Sequence, residues 1–310
     1  MDGAVVIDKP DGMTSHDVVA AVRRLLPKGT KAGHTGTLDP FATGVLPVLI
    51  GKATRLARFL SSDDKHYLAA VVFGASTTTY DRTGEPVDVA GPEIVGALTR
   101  DRVAEALRAF VGVIRQTPPV FSAKKVDGVR AYERARRGDT TPPAPVEVAA
   151  HALTLAEWSD ETGHATIDVH CGAGFYVRSL AHDLGTTLGV PAHLHALRRT
   201  AAGPFQEADA QPLAAVLRGA SEALASYVRP MSALLVDIPA ITVTDTERDD
   251  IGHGRSVLVK ADRMTPALAS VLEGGRVRLL DHAGALVALA TKELPAPDGA
   301  ARLHPNVVLL

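Results

Sequence analysis

One carboxylate stands out by its setting. Asp39 lies in "GHTGTLDP", Gly33 to Pro40, between a leucine and a proline. The proline disfavours helical backbone at Asp39 and pushes it toward an extended shape. Gly33 and Gly36 permit turns that other residues resist. Together they predict a tight loop that presents one acid group. The residues alone leave two readings open: an Asx turn, in which Asp39 bonds nearby backbone N–H groups, or a carboxylate displayed for chemistry.

Other chemistries find little support. The chain has no G-x-x-x-x-G-K-[ST] loop, no G-x-G-x-x-G after a strand and no G-x-S-x-G elbow. His193 and His195 in "HLH" would share one face of a strand, but no third metal ligand stands near them. His182 and Asp183 are adjacent on a helix and point in different directions. No cluster of His, Asp and Glu shows metal-ligand spacing, and Cys171 is the single cysteine, which excludes an intramolecular disulfide and argues against a cysteine-based zinc site. No cofactor and no metal are expected. A glycosidase would want two carboxylates flanking the bond, and no partner for Asp39 stands out.

The elements that must position Asp39 follow from periodicity. "AVVIDKP" predicts a strand stopped by proline, and "TSHDVVAAVRRLL" a helix capped by Thr14 or Ser15 with Val18, Val22 and Leu25 as its stripe. After the Asp39 loop, "GVLPVLIG" predicts a strand that Pro47 places at an edge or bulge. "ATRLARFL" predicts a short helix, "HYLAAVVFG" a strand with one buried face, and "TRDRVAEALRAF" a capped helix. "HATIDVHC" alternates as a strand. "FYVRSLAHDLGTTLG" predicts a helix closed by Gly189, and "HLHALRRTAAGPF" another strand. From about Met231 the texture changes to short strand-like runs with turns, "VDIPAITVTDTERDDIGHGRSV", "RVRLLDHAGALVALA" and "NVVLL", which predicts a separate small β domain.

At 310 residues, 46 % apolar and 22 % charged, the chain fits a soluble globular protein. No apolar run approaches the roughly 18 residues that span a bilayer. The N-terminal residues lack a secretory pattern, and a reducing cytoplasm is expected. The net charge of −2 does not point to nucleic acid. Charge is uneven, however. Between Arg115 and Arg137 seven basic residues face only Asp127 and Glu133, in a stretch rich in Pro and Gly, whereas the last residues of the chain are slightly acidic. The basic stretch reads either as a flap that touches phosphates or as a solvated loop with a short charged helix.

Read together, the motifs resemble one family. "GHTGTLDPFATGVLPVLIGKATRL" closely resembles the motif around the catalytic aspartate of the TruB-type tRNA pseudouridine synthases. "VVIDKPDGMTSHDVV" resembles their N-terminal motif, "DKHYLAAVVFG" the segment that carries their active-site tyrosine, and "QTPPVFSAKKVDGVRAYERARRG" the start and flap of their RNA-gripping insertion. "CGAGFYVRSLAHDLGTTLGVPAHLHALRRTAAGPF" resembles their last catalytic motif. The matches occur in the family's order over most of residues 1–205.

The resemblance implies a cofactor-free isomerisation of uridine to pseudouridine at position 55 in the T-loop of tRNA. Asp39 matches the catalytic aspartate, as a nucleophile or through a glycal-like intermediate. Arg178 matches the arginine paired with it, which would hold the carboxylate ionised. Tyr67 matches the tyrosine that stacks on the target base. Tyr176 and Leu197 would line the pocket, and His34 would help hold the RNA loop with its base extruded. Lys9 matches a family lysine near the pocket, as support or contact. Lys124, Lys125 and Arg130 would grip phosphates from the insertion, with Lys52, Arg55 or Arg58 adding to them. His66 departs from the pattern, since many relatives place arginine there.

The expected fold is mixed α/β (α+β), with a largely antiparallel sheet. Residues 1–229 would form the catalytic domain, with an RNA-gripping insertion at 115–142, and residues 230–310 a small PUA-like β-barrel. The expected partner is the T-stem-loop of tRNA, with no membrane and a monomeric state. Two rival readings share these motifs: a guide-RNA-dependent pseudouridine synthase, and a tRNA-binding or folding module in which catalysis is secondary.

Overall fold

A computed structural model of the chain describes residues 1–310 except 62, 123, 127, 219 and 294–299, and gives the backbone alone at 125, 126, 130, 132, 136 and 220–223. Its centre is an 11-stranded mixed sheet. The strands Gly3–Lys9, Thr43–Ile50, Ala192–Ala202, Lys65–Phe73, His164–Cys171, Val146–Ser159 and Gly112–Gln116 lie side by side in that order. Most neighbours are antiparallel. One parallel contact, Arg198–Arg199 against Thr43–Gly44, joins the two halves of the sheet.

Burial explains the difference between the strands. Lys65–Phe73 alternates, with Tyr67, Ala69, Val71 and Phe73 buried. Gly3–Lys9 runs apolar from Ala4 through Ile7 because both faces are covered. Val5 and Ile7 join the main core, and Ala4 and Val6 a second one. The main core is roofed by helices Ser15–Arg23, Arg100–Arg108 and Val177–Leu188, whose stripes include Val18, Val22, Val103, Leu107, Leu180 and Leu184. Thr14 caps the first helix in a capping box with Asp17, Thr99 caps the second, and Gly189 closes the third at φ +70°.

Three sequence expectations need correction. Pro47 sits at neither an edge nor a bulge, because its strand is paired on both sides. The Pro47 carbonyl accepts from Thr35 N. The nitrogen points the same way, toward the stretch between the contacts at 43–44 and 48–50, where no donor is required. Arg115 belongs to the strand Gly112–Gln116, paired with 146–150, so the excursion begins after it. In the C-terminal region, "DTERDDIG" is a helix, Asp245–Gly252, capped by Thr244, where strand-like texture was expected.

The remainder of that region does form a five-stranded sheet, in the order Ala240–Thr242, Arg276–Leu280, Leu286–Lys292, Ala301–Val308 and Val257–Val259. Its Leu286, Leu289, Val307 and Leu309 pack with Ala4, Val6, Val45 and Leu49 on the back of the main sheet. Arg55 donates to the Val308 carbonyl, and Arg58 lies over the Phe59 ring. No helix among the described residues is long and apolar enough to cross a membrane.

Candidate active site

The Asp39 loop is pinned from three sides. Lys9 is fully buried, and its Nζ donates to the carbonyls of Pro10 (2.8 Å), Met13 (2.5 Å) and Pro40 (3.0 Å). Ser15 Oγ accepts from Leu38 N at 2.9 Å and donates back to the Leu38 carbonyl at 3.2 Å. Arg199, also fully buried, donates to the carbonyls of Val45 (2.7 Å) and Gly36 (3.1 Å). Lys9 therefore supports the loop, with no surface to offer a substrate. Burial lowers its pKa to about 8, against the pull of Asp11 and Asp39.

Asp39 does not make an Asx turn. Its carboxylate is gripped by Arg178 in a two-pronged contact, Nε to Oδ2 at 2.9 Å and Nη2 to Oδ1 at 2.9 Å. Arg178 is 5 % exposed. The same guanidinium reaches Asp81 Oδ2 at 3.3 Å and donates to the carbonyls of Thr79 and Phe121. Burial pushes the Asp39 carboxyl above the usual carboxylate range; Arg178 pulls it back and Asp81 adds to the rise. The arginine thus opposes a dominant burial effect, where the sequence suggested that its charge would decide the outcome.

Asp81 is the functional neighbour that sequence reasoning missed. It is buried, and its Oδ1 accepts from Thr79 Oγ1, Thr83 N and Thr83 Oγ1. The available signal was a lone acid among hydroxyl side chains in "TTTYDRTG". The turn forces Tyr80 to φ +62°, a conformation an aromatic residue rarely adopts, and its ring stacks on His182 at 4.0 Å.

Arg178 is delivered by the start of the helix Val177–Leu188. Tyr176 is its N-cap but supplies no side-chain bond. Gln116, from the neighbouring strand, clamps that residue instead, accepting from Tyr176 N at 2.8 Å and donating to its carbonyl at 3.0 Å. Ser179 Oγ donates to the Thr117 carbonyl at 2.7 Å. The helix start is thereby locked to the root of the basic excursion.

Asp39, Tyr67, Tyr176, Arg178 and Leu197 line one cavity of about 280 Å³, together with Ser122. Ser122 Oγ is buried beside the Tyr176 hydroxyl, whose pKa burial raises and Ser122 pulls back. Burial raises the Tyr67 hydroxyl above its ordinary pKa, with Arg199 opposing. His34 stands at the end of the strand Ala32–His34, outside the residues that line this cavity. Its Nδ1 accepts from Gly36 N at 3.3 Å, and burial, with His16 and Arg199, lowers its pKa to about 4. It is neutral near pH 7, with Nε2 carrying the proton.

The excursion continues as a hairpin, Lys125–Val126 with Val129–Arg130, and a helix, Ala131–Arg136. Lys124 precedes the hairpin and does not line the cavity. The side chains of Lys125 and Arg130 lie outside the described residues. His193 and His195 do not converge. His193 contacts the Ala75 carbonyl, while His195 falls at a register shift and stacks on His164. A group of metal-ligating side chains that sequence spacing did not reveal is assembled elsewhere, from Asp64, His151 and His170.

One cavity beside the large mixed sheet thus holds Asp39, Arg178 and Tyr67, the set that the resemblance to pseudouridine synthases singled out. The model of the TruB family pseudouridylate synthase N-terminal domain matches residues 23–177. The model of the tRNA pseudouridylate synthase B C-terminal domain matches residues 178–236, short of the five-stranded sheet. A "tRNA pseudouridine synthase B" of Solibacter usitatus (strain Ellin6076) is 42 % identical over 310 residues, 100 % of both chains. Another of the same name, from Symbiobacterium thermophilum, is 46 % identical over 84 % of each chain. Among solved structures, the crystal structure of a Cbf5-Nop10-Gar1 complex matches with a TM-score of 0.71 and 27 % identity, over 99 % of this chain and 85 % of that one. The chain belongs to the TruB family of pseudouridylate synthases.

Proposed function

We propose that the protein converts uridine to pseudouridine in tRNA, at position 55 of the T-loop, acting as a monomer in the cytoplasm. The observation that carries this reading is the two-pronged contact of a buried Arg178 with the half-buried Asp39, in a cavity that also holds Tyr67. The reaction breaks the C1′–N1 bond of uridine and forms C1′–C5. N1 gains a proton and C5 loses one, so neither electrons nor a second substrate are needed. Asp39 is the group that acts on the ribose or base. Arg178 keeps its carboxylate oriented and favours its ionised form. Tyr67 offers a ring face for the base, Leu197 an apolar wall, and the buried Ser122 hydroxyl, beside Tyr176, a polar contact.

A uridine in a folded T-loop must be turned out before its glycosidic bond is reached. That unstacking costs a few kcal/mol, returned by stacking and hydrogen bonds in the pocket. Neutral His34 helps hold the opened loop. Lys124, Lys125 and Arg130 add phosphate contacts that carry affinity without sequence information. Arg55 ties the catalytic sheet to the C-terminal sheet and is assigned no phosphate.

The reading as a subunit of a larger complex has the likeness to the Cbf5-Nop10-Gar1 complex in its favour. The stand-alone reading is preferred because relatives named as tRNA enzymes match at 42 % and 46 % identity, well above 27 %. The test compares wild type with Asp39→Asn on an unmodified tRNA transcript, scoring T-loop pseudouridine and tRNA binding without any guide RNA. Loss of modification with retained binding supports the reading. A wild type that binds but does not modify, or an active asparagine variant, refutes it.

A further inference from the structure

We propose that Asp64, His151 and His170 form a binding site for a divalent transition-metal ion of the zinc type, bridging three neighbouring strands beside the catalytic cavity. His170 is the penultimate residue of the strand His164–Cys171, and Asp64 immediately precedes the strand Lys65–Phe73. His151 comes from the strand Val146–Ser159, at the register shift between Ala150 and Ala152, where it is the extra residue opposite Cys171 and His170. A bulge of this kind re-aims a side chain, and here it brings His151 to the side where His170 stands.

The three ligand atoms fit one ion. Asp64 Oδ1 is 3.1 Å from His151 Nε2, and Asp64 Oδ2 is 3.5 Å from His170 Nε2. All the ligand atoms lie within 4.8 Å of one another. Bonds of about 2.0–2.2 Å in tetrahedral geometry place ligand atoms about 3.3–3.6 Å apart, so rotamer adjustments of about an ångström would bring the three onto one ion. Two imidazoles and one carboxylate favour zinc and its neighbours over magnesium or calcium, and leave further positions to water. The His66 ring stacks on His170 at 4.0 Å and restrains its plane.

The surroundings favour a cation. Asp64, His66 and His170 line a second cavity of about 610 Å³, which Asp63 and Asp237 also line, together with Arg276. Gly172 follows the His170 strand end and lies against His151: a Cβ there would stand 3.6 Å from His151 Nε2. Lys65 and Gly172, neighbours of these ligands, both line the catalytic cavity. A bound ion would therefore clasp the strands that shape one wall of the active site.

The test uses the untagged full chain, stripped with chelator and titrated with Zn²⁺ by calorimetry, with thermal melting in parallel. One Zn²⁺ per chain and a rise in Tm are expected for wild type. The His151→Gln/His170→Gln double variant should lose at least about tenfold in affinity together with the Tm rise. His195→Gln, on another strand, should keep both. Asp64→Asn preserves shape and should weaken binding alone, which guards against a double variant that fails to fold. No saturable binding by wild type, or variants that bind as wild type does, would overturn the proposal.

Discussion

The Asp39 carboxylate stands between two opposed influences, burial that favours its protonated form and Arg178 that favours its charge. The balance predicts a pH effect. If only the ionised carboxylate is active, activity falls as pH drops through the Asp39 pKa, which burial places above the ordinary value of 3.8. Arg178→Lys keeps a charge but loses the two-pronged grip, leaving Asp81 less compensated. The acid limb of kcat/KM should move to higher pH, with kcat reduced. A pH–rate profile for both proteins decides the point, and a limb that stays in place or moves down removes Arg178 from this role.

The element that most constrains the site is the parallel contact between Thr43–Gly44 and Arg198–Arg199. Gly44 has φ +98°, and a Cβ there would lie 2.2 Å from the Arg199 carbonyl. A side chain would both strain the backbone and push apart the two halves of the sheet. Arg199, which holds the Asp39 loop through Gly36, lies at that seam. Gly44→Ala should therefore cost about 2–4 kcal/mol of stability and lower kcat as well. Urea unfolding measures the first effect, and a midpoint equal to that of wild type would show that the seam yields without cost.

Across the whole molecule, the second core joins the back of the catalytic sheet to the C-terminal sheet. Leu289 is 1 % exposed within it, beside residues of the strands Gly3–Lys9 and Thr43–Ile50. Leu289→Ala should destabilise the protein by about 2–5 kcal/mol. Trp158, the single tryptophan, packs edge-on against Phe73 in the catalytic sheet and reports that part alone. Because the core is shared, Trp158 fluorescence should show the lowered unfolding midpoint although the substitution lies far along the chain. An unchanged Trp158 transition would mean that the two sheets unfold independently.

What the sequence determined by itself was local. Alternation foretold the strand carrying Tyr67, the apolar stripe foretold the helix carrying Arg178, and Gly189 marked its end, because dihedral preference and one-sided burial are written within a dozen residues. The ordered motifs also pointed to Asp39, Arg178 and Tyr67 as one set before any geometry was known. The tertiary structure alone decided what those residues meet. Asp81 comes to Arg178 from a separate turn, Lys9 and Arg199 buttress the Asp39 loop from strands far apart in the chain, and Asp64, His151 and His170 converge across a bulge. Pro47 lies inside the sheet because the gap it needs is created by two other strands. Such encounters depend on strand order, and strand order is set by the summed burial of all the strands at once, a quantity that no local window of residues contains.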